Sequence, residues 1–210
     1  MGAIVLLYKQ YGKFPWKQLF VLICFLSLLF VVSHFFVVKA VAEKTMQWNY
    51  AELTEIAKEI YDKGEVTEAI KDIPLDEAAI TKMSAEIERI LSKTSDYPNC
   101  ELYFLKVKLS GNYPVLGYGN TILGFEYMNT GNVWKVGQTR NGQTGRYPQD
   151  IYCNIKQLNV VLGRNELEYI TVKYGNYKEI LILEKILIYT YPLWSGHITL
   201  MKPPGCKIYR

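Results

Sequence analysis

The chain has 210 residues, 24 Lys+Arg against 20 Asp+Glu, four Cys and 50% hydrophobic residues. That length suits one or two domains, and the composition excludes a disordered chain, a collagen-like repeat and a small disulfide scaffold. The net charge of +4 hides three regions: residues 1–39 carry +4, residues 40–96 carry −6 and residues 97–210 carry +6. The basic third region suits a polyanion without demanding one.

Residues 1–18 form a basic flank with Tyr11, Phe14 and Trp16 near its end. Leu19 to Val38 follows, 20 residues with no formal charge, interrupted only by Cys24, Ser27, Ser33 and His34. A helix of that length covers the roughly 30 Å hydrocarbon core, and aromatic residues favour its interface. Residues 19–38 are therefore predicted to be a transmembrane helix. Ala40-Val41-Ala42 resembles a signal-peptidase site, but the apolar run is longer than the roughly 7–15 residues of a signal peptide. The chain is expected in the cell's inner (plasma) membrane as a single-pass protein. Lys9, Lys13 and Lys17 before the span slightly outweigh Lys39 and Lys44 after it, which leans toward an inside N-terminus. Cys100, Cys153 and Cys206 make an odd set, which suits free thiols and a cytosolic domain. The side of the soluble domain stays open.

Residues 39–96 read as an acidic helical neck, or as a cap packed on the next domain. Asn49 with Glu52 forms a capping-box pattern, Leu53, Ile56 and Ile60 follow at helical spacing, and Gly64 can end that helix. Pro74 can start a second helix, with Ile80, Met83, Ile87, Ile90 and Leu91 as its apolar stripe. The Glu and Lys positions read as a solvated face. A neck of this kind also offers a surface for homo-oligomerisation. Asp96-Tyr97-Pro98-Asn99 supplies turn residues, which puts a boundary near 96.

Residues 97–210 change texture. Leu102 to Lys108, Asn132 to Thr139 and Glu168 to Tyr174 read as three strands, rich in aromatic and β-branched residues. Residues 112–131 read as a loop or small hairpin, and residues 140–146 as a polar turn carrying Arg140 and Arg146. Asn176 with Glu179 suggests another capping box, opening a helix from Tyr177 to Tyr189. Glu184 lies mid-helix, and its neighbours three and four residues away are Ile180, Leu181, Leu187 and Ile188. A carboxylate among apolar neighbours calls for a cation, a proton, a metal or a route to water. His34 reads as a tolerated membrane residue and His197 as a loop histidine. The cysteines lack zinc-ligand spacing, and neither a Walker loop nor a Rossmann fingerprint is present.

The order of these pieces resembles the GIY-YIG endonuclease superfamily, in particular a bacterial membrane-anchored branch, over about residues 100–210. The matching segments are Tyr103-Phe104-Leu105-Lys106-Val107, Gly131 to Thr139 (GNVWKVGQT), Gly145-Arg146-Tyr147-Pro148, Leu183-Glu184-Lys185 and Pro203-Pro204-Gly205-Cys206-Lys207-Ile208. The resemblance implies an α+β domain, a three-stranded antiparallel sheet flanked by helices. It also implies a metal-dependent endonuclease using one Mg²⁺ or Mn²⁺ ion on DNA, with RNA as the second candidate. Residue by residue, it implies Tyr103 at the attacking water, Lys135 where the family usually has Tyr, Arg146 on the scissile phosphate and Glu184 on the metal. Arg140 is a further candidate substrate contact, but it follows Gly137 too closely to take the place of Arg146. Cys206 stands where an Asn is expected. An alternative from another class is a catalytically inactive GIY-YIG-like module that binds nucleic acid or protein at the membrane.

Overall fold

The computed structural model describes residues 48–149, 151, 155, 167–197 and 199–207. The expected membrane span at 19–38 and its flank at 1–18 lie outside the described residues. Among the described residues no helix is long and apolar enough to cross a membrane.

The fold is α+β. Three helices come first: α1 (Tyr50–Lys63), the short α2 (Val66–Ile70) and α3 (Glu77–Lys93). Strand β1 (Cys100–Val107) leads into a hairpin of β2 (Gly111–Leu116) and β3 (Ile122–Met128), and then β4 (Val133–Thr139). The short helix α4 (Gly142–Arg146), strand β5 (Leu167–Gly175), helix α5 (Tyr177–Tyr189) and the single turn α6 (Tyr191–Trp194) follow. β4, β1 and β5 form an antiparallel sheet in that order, and β2 and β3 form a separate two-stranded sheet.

β1 is central in its sheet and covered on both faces. Its alternate residues serve two cores, as the period of two requires. Cys100, Leu102 and Phe104 join Val136 and the apolar residues of α1, α3 and α5. Tyr103, Leu105 and Val107 join Tyr113, Leu116, Met128 and Trp134 on the hairpin side. Residues 112–131, which read as a loop or small hairpin, form most of a hairpin that closes the second core.

Helix α5 is buried almost all round, with Ile180, Ile182, Leu183, Ile186, Leu187 and Ile188 all in the core. A helix apolar on every side needs cover on every side. The sheet covers one side, and α1 and α3 pack on α5 as well. Thr45–Arg210 accordingly form one compact unit. The helices read as a neck lie on the sheet domain as a cap, and the turn near 96 is a connection within that unit.

Local signals set most helix ends. Asn49 and Glu52 make the reciprocal capping box, and Gly64 closes α1 at φ +76°. Pro74 does not start α3; Asp76 caps it instead, its carboxylate accepting from the Ala79 amide at 2.8 Å. The box expected at Asn176 and Glu179 does not form. Glu179 instead pairs with Lys173 at 2.8 Å, and the Asn176 amide donates to Tyr61 Oη. Asp96 takes over the cap, accepting from the Lys178 amide at 3.0 Å and from Tyr61 Oη at 2.7 Å. Burial works to raise the Asp96 carboxyl, but the bonds from Lys178, Tyr61 and Tyr97 outweigh it and hold it below its usual range.

Two outcomes follow from this packing. Asp96→Ala lowers stability by about 1 kcal/mol at pH 7. A lowered folded-state pKa means the contribution is present above the unfolded pKa and lost as pH falls through the folded one. Denaturant titrations of both proteins at pH 7 and pH 3 therefore show the gap closing in acid. A chain starting at residue 97 uncovers α5 and aggregates, whereas the full chain gives a single cooperative transition.

Candidate active site

A cleft of ≈ 390 Å³ is lined by Tyr103, Lys135, Arg146 and Glu184, together with Arg89 and Lys207. The first four come from β1, β4, α4 and α5. Sequence separations of up to 81 positions thus close into one wall. Arg140 does not line this cleft; its guanidinium lies 4.9 Å from the ring centroid of Tyr97 and 5.7 Å from that of Tyr177. Such stacking on two aromatic faces occupies it as a cation–π partner. His197 also lies apart: its ring stacks on Tyr191, and burial lowers its pKa.

Gly137 shapes the centre of the cleft. It pairs directly with Tyr103 across the β1–β4 ladder. A Cβ there would lie 2.5 Å from the Tyr103 hydroxyl, so only glycine leaves room for the phenol. Gly205 plays the same part beneath Trp134, where a Cβ would meet the indole at 2.5 Å. The Gly205 amide donates to the Trp134 carbonyl at 2.7 Å, and the Leu116 amide to the Pro204 carbonyl at 2.8 Å. These bonds dock the Pro-Pro-Gly-Cys-Lys segment between β4 and the hairpin and bring Cys206 and Lys207 to the cleft.

Tyr103 is fully buried, and its hydroxyl is engaged. It shares a hydrogen bond with Tyr147 Oη at 3.0 Å and accepts from Arg146 Nε at 3.4 Å. Its ring stacks on Tyr169 with centroids 4.6 Å apart. Tyr169 donates to the buried carboxylate of Glu101 at 2.9 Å, and Thr171 donates to the same oxygen at 2.6 Å. Glu101 thereby fixes Tyr169, Tyr169 braces Tyr103, and Tyr103 orients Arg146. Burial, then the Glu101 bond, push the Tyr169 phenol far above its ordinary range. Burial and Tyr103 do the same to Tyr147, more strongly than Arg146 opposes it. Both phenols are therefore neutral at pH 7 and serve as hydrogen-bonding groups. The Tyr103 bond raises Arg146 further, so its charge is permanent.

Lys135 and Glu184 are half-buried in the cleft wall. Lys185, next to Glu184, is buried and reaches Glu86 of α3 at 3.6 Å; burial lowers its pKa. Cys206 donates its thiol to the Val136 carbonyl at 3.3 Å. Burial pushes that thiol up to about 11, with Lys135 pulling the other way. It is a packed structural thiol at neutral pH.

The donor set also bears on a metal. Among the described residues no group of three or more His, Cys, Asp or Glu could hold one. Glu184 is the only carboxylate among the residues lining the cleft. That set fits a hard divalent cation that keeps several waters and takes further oxygens from a bound phosphate.

No protein-family model, curated protein or solved structure matches the chain.

Sequence reasoning missed Tyr147, Tyr169, Glu101, Arg89 and Lys207. Tyr147 had a signal, since it follows Arg146 within the Gly-Arg-Tyr segment. Arg89 did not, because a helical surface arginine has the same local pattern wherever it points.

Gly137→Ala forces the buried Tyr103 ring away from β4. Overpacking of this kind costs about 1–3 kcal/mol. Urea unfolding of the variant beside wild type measures it.

Proposed function

We propose that the chain is a membrane-anchored, metal-dependent endonuclease of the GIY-YIG type, hydrolysing phosphodiester bonds in DNA or RNA. The observation that carries this reading is the cleft that gathers Tyr103, Lys135, Arg146 and Glu184. The antiparallel sheet with Tyr103 on its central strand supports it, as does Glu184 on the helix packed against that sheet. The apolar run at 19–38 supports the anchor.

In this reading Glu184 would hold a divalent cation, which would supply Lewis-acid stabilisation of a phosphoryl oxygen. The Arg146 guanidinium neutralises the negative charge that grows on the phosphate in the transition state, using forked donors suited to two oxygens. Tyr103, which lines the cleft, is the residue proposed at the attacking water, and its hydroxyl also positions Arg146 by accepting from Nε at 3.4 Å. An ammonium group at Lys135 donates to a phosphate oxygen or to that water and offers no lone pair to take a proton. Lys207 and Arg89, at the rim, add to the field that draws a polyanion in.

A second reading is a module that binds nucleic acid without cutting it. Lys135 at the usual tyrosine position favours it, as does a Cys206 thiol that only packs against Val136.

One experiment separates the two. The full chain in detergent is incubated with labelled single- and double-stranded DNA and RNA, with and without Mg²⁺. Cleavage requires the metal, and Glu184→Ala and Arg146→Ala each lower its rate by about 10²–10³-fold. Cleavage that persists in Glu184→Ala overturns the metal assignment. Binding by a folded wild type that never cleaves selects the second reading.

A further inference from the structure

A second hollow of ≈ 600 Å³ lies between helix α3 and the C-terminal segment. Lys82, Arg89, Lys202 and Lys207 line it, and Glu86 is the single carboxylate among its lining residues. Arg89 and Lys207 also line the candidate active-site cleft, so the two hollows adjoin along a shared cationic wall.

The placement follows from the helix. Lys82, Glu86 and Arg89 recur four and three residues apart, which puts them on one side of α3. Met83, Ile87 and Ile90 form its buried stripe. Lys82 and Arg89 are exposed. Glu86 is already matched, by Lys185 at 3.6 Å and Arg89 at 3.4 Å. Lys202 is held in the opposite wall, its Nζ donating to the carbonyls of Leu116 at 3.1 Å and of Cys206. Four cationic side chains line one hollow with a single carboxylate among them, a charge balance that attracts an anion.

We propose that this second hollow is a subsite for the nucleic-acid backbone, holding phosphates of the strand that runs on from the phosphate in the cleft. The proposal rests on nucleic acid as the ligand of that cleft. It makes the cap helix α3, which lies outside the segment resembling the nuclease family, part of the substrate surface. A strand fits this geometry better than a membrane does. The hollow shares Arg89 and Lys207 with the cleft, so a flexible strand can lie along both, whereas anionic headgroups present a broad plane.

The test uses the full chain in detergent, without divalent cation, and fluorescein-labelled oligothymidylates of three and twelve nucleotides, titrated over a range of salt. Wild type binds the longer strand more tightly. Lys82→Ala/Arg89→Ala loses most of that preference, and its slope of log affinity against log salt is shallower by about 1.4, two contacts at about 0.7 each for a single strand. Lys82→Ala alone, which lies outside the cleft, takes about half of that change. Both side chains are exposed, so an unchanged melting temperature certifies the fold. Equal length preference and equal slope in wild type and double variant overturn the subsite. So does a double variant that keeps its oligonucleotide affinity but loses binding to phosphatidylglycerol vesicles, which would make the hollow a lipid site. Arg146→Ala is titrated in parallel. If it weakens binding and the double variant does not, the cleft reading stands and the subsite fails. If only the double variant weakens binding, no strand passes from the cleft, and both the cleft reading and the subsite as its continuation fail.

Discussion

Helix α5 keeps little more than its cleft-lining side for water, and the architecture follows from that constraint. Its apolar residues occupy nearly the whole circumference. The sheet can cover only one side, so α1 and α3 are drawn onto the other. The two polar residues it carries mid-span then have defined tasks. Lys185 is buried and reaches Glu86 on the cap, and Glu184 opens into the cleft. Exposing α5 would cost far more than any single ion pair returns, since each fully buried aliphatic side chain contributes about 1.5–3 kcal/mol.

The second organising feature is a stack of tyrosines on the opposite face of the sheet. Tyr169, Tyr103 and Tyr147 lie ring against ring, with the buried Glu101 at one end and the permanently charged Arg146 at the other. Their hydroxyls find partners inside the cluster, so burial leaves no phenol wanting a bond. The arrangement holds a flexible arginine in one place on the cleft wall. Gly137 makes this possible by having no side chain where the Tyr103 ring passes.

These two features meet at β4, the edge strand of the three-stranded sheet. The cleft takes Gly137 and Lys135 from one face of β4 and Val136 from the other. It therefore wraps the sheet edge, with Glu184 arriving from the helix side and Arg146 from the tyrosine side. The cap adds Arg89 and continues the cationic wall into the neighbouring hollow. A segment recruited to cover an apolar helix thus also widens the charged surface.

By itself the sequence determined the elements whose signals are local. The alternation in β1, the glycine after α1, the capping box at Asn49 and the span from Tyr177 to Tyr189 all depend on residues a few positions apart. Helical spacing marked Glu184 as a carboxylate among apolar neighbours, while Tyr103, Lys135 and Arg146 were candidates only through the resemblance to the nuclease superfamily. Only the tertiary structure decided the rest. Asp96 displaced the cap expected at Asn176 because Tyr61 and Lys173 drew Asn176 and Glu179 elsewhere. Arg140 and Arg146, six positions apart in similar polar surroundings, were separated by what lay near them: two aromatic faces for Arg140, the Tyr103 hydroxyl for Arg146. The cap, the tyrosine brace and the second hollow join residues tens of positions apart. Such contacts leave no periodicity in the chain, since they depend on which surfaces must be buried together.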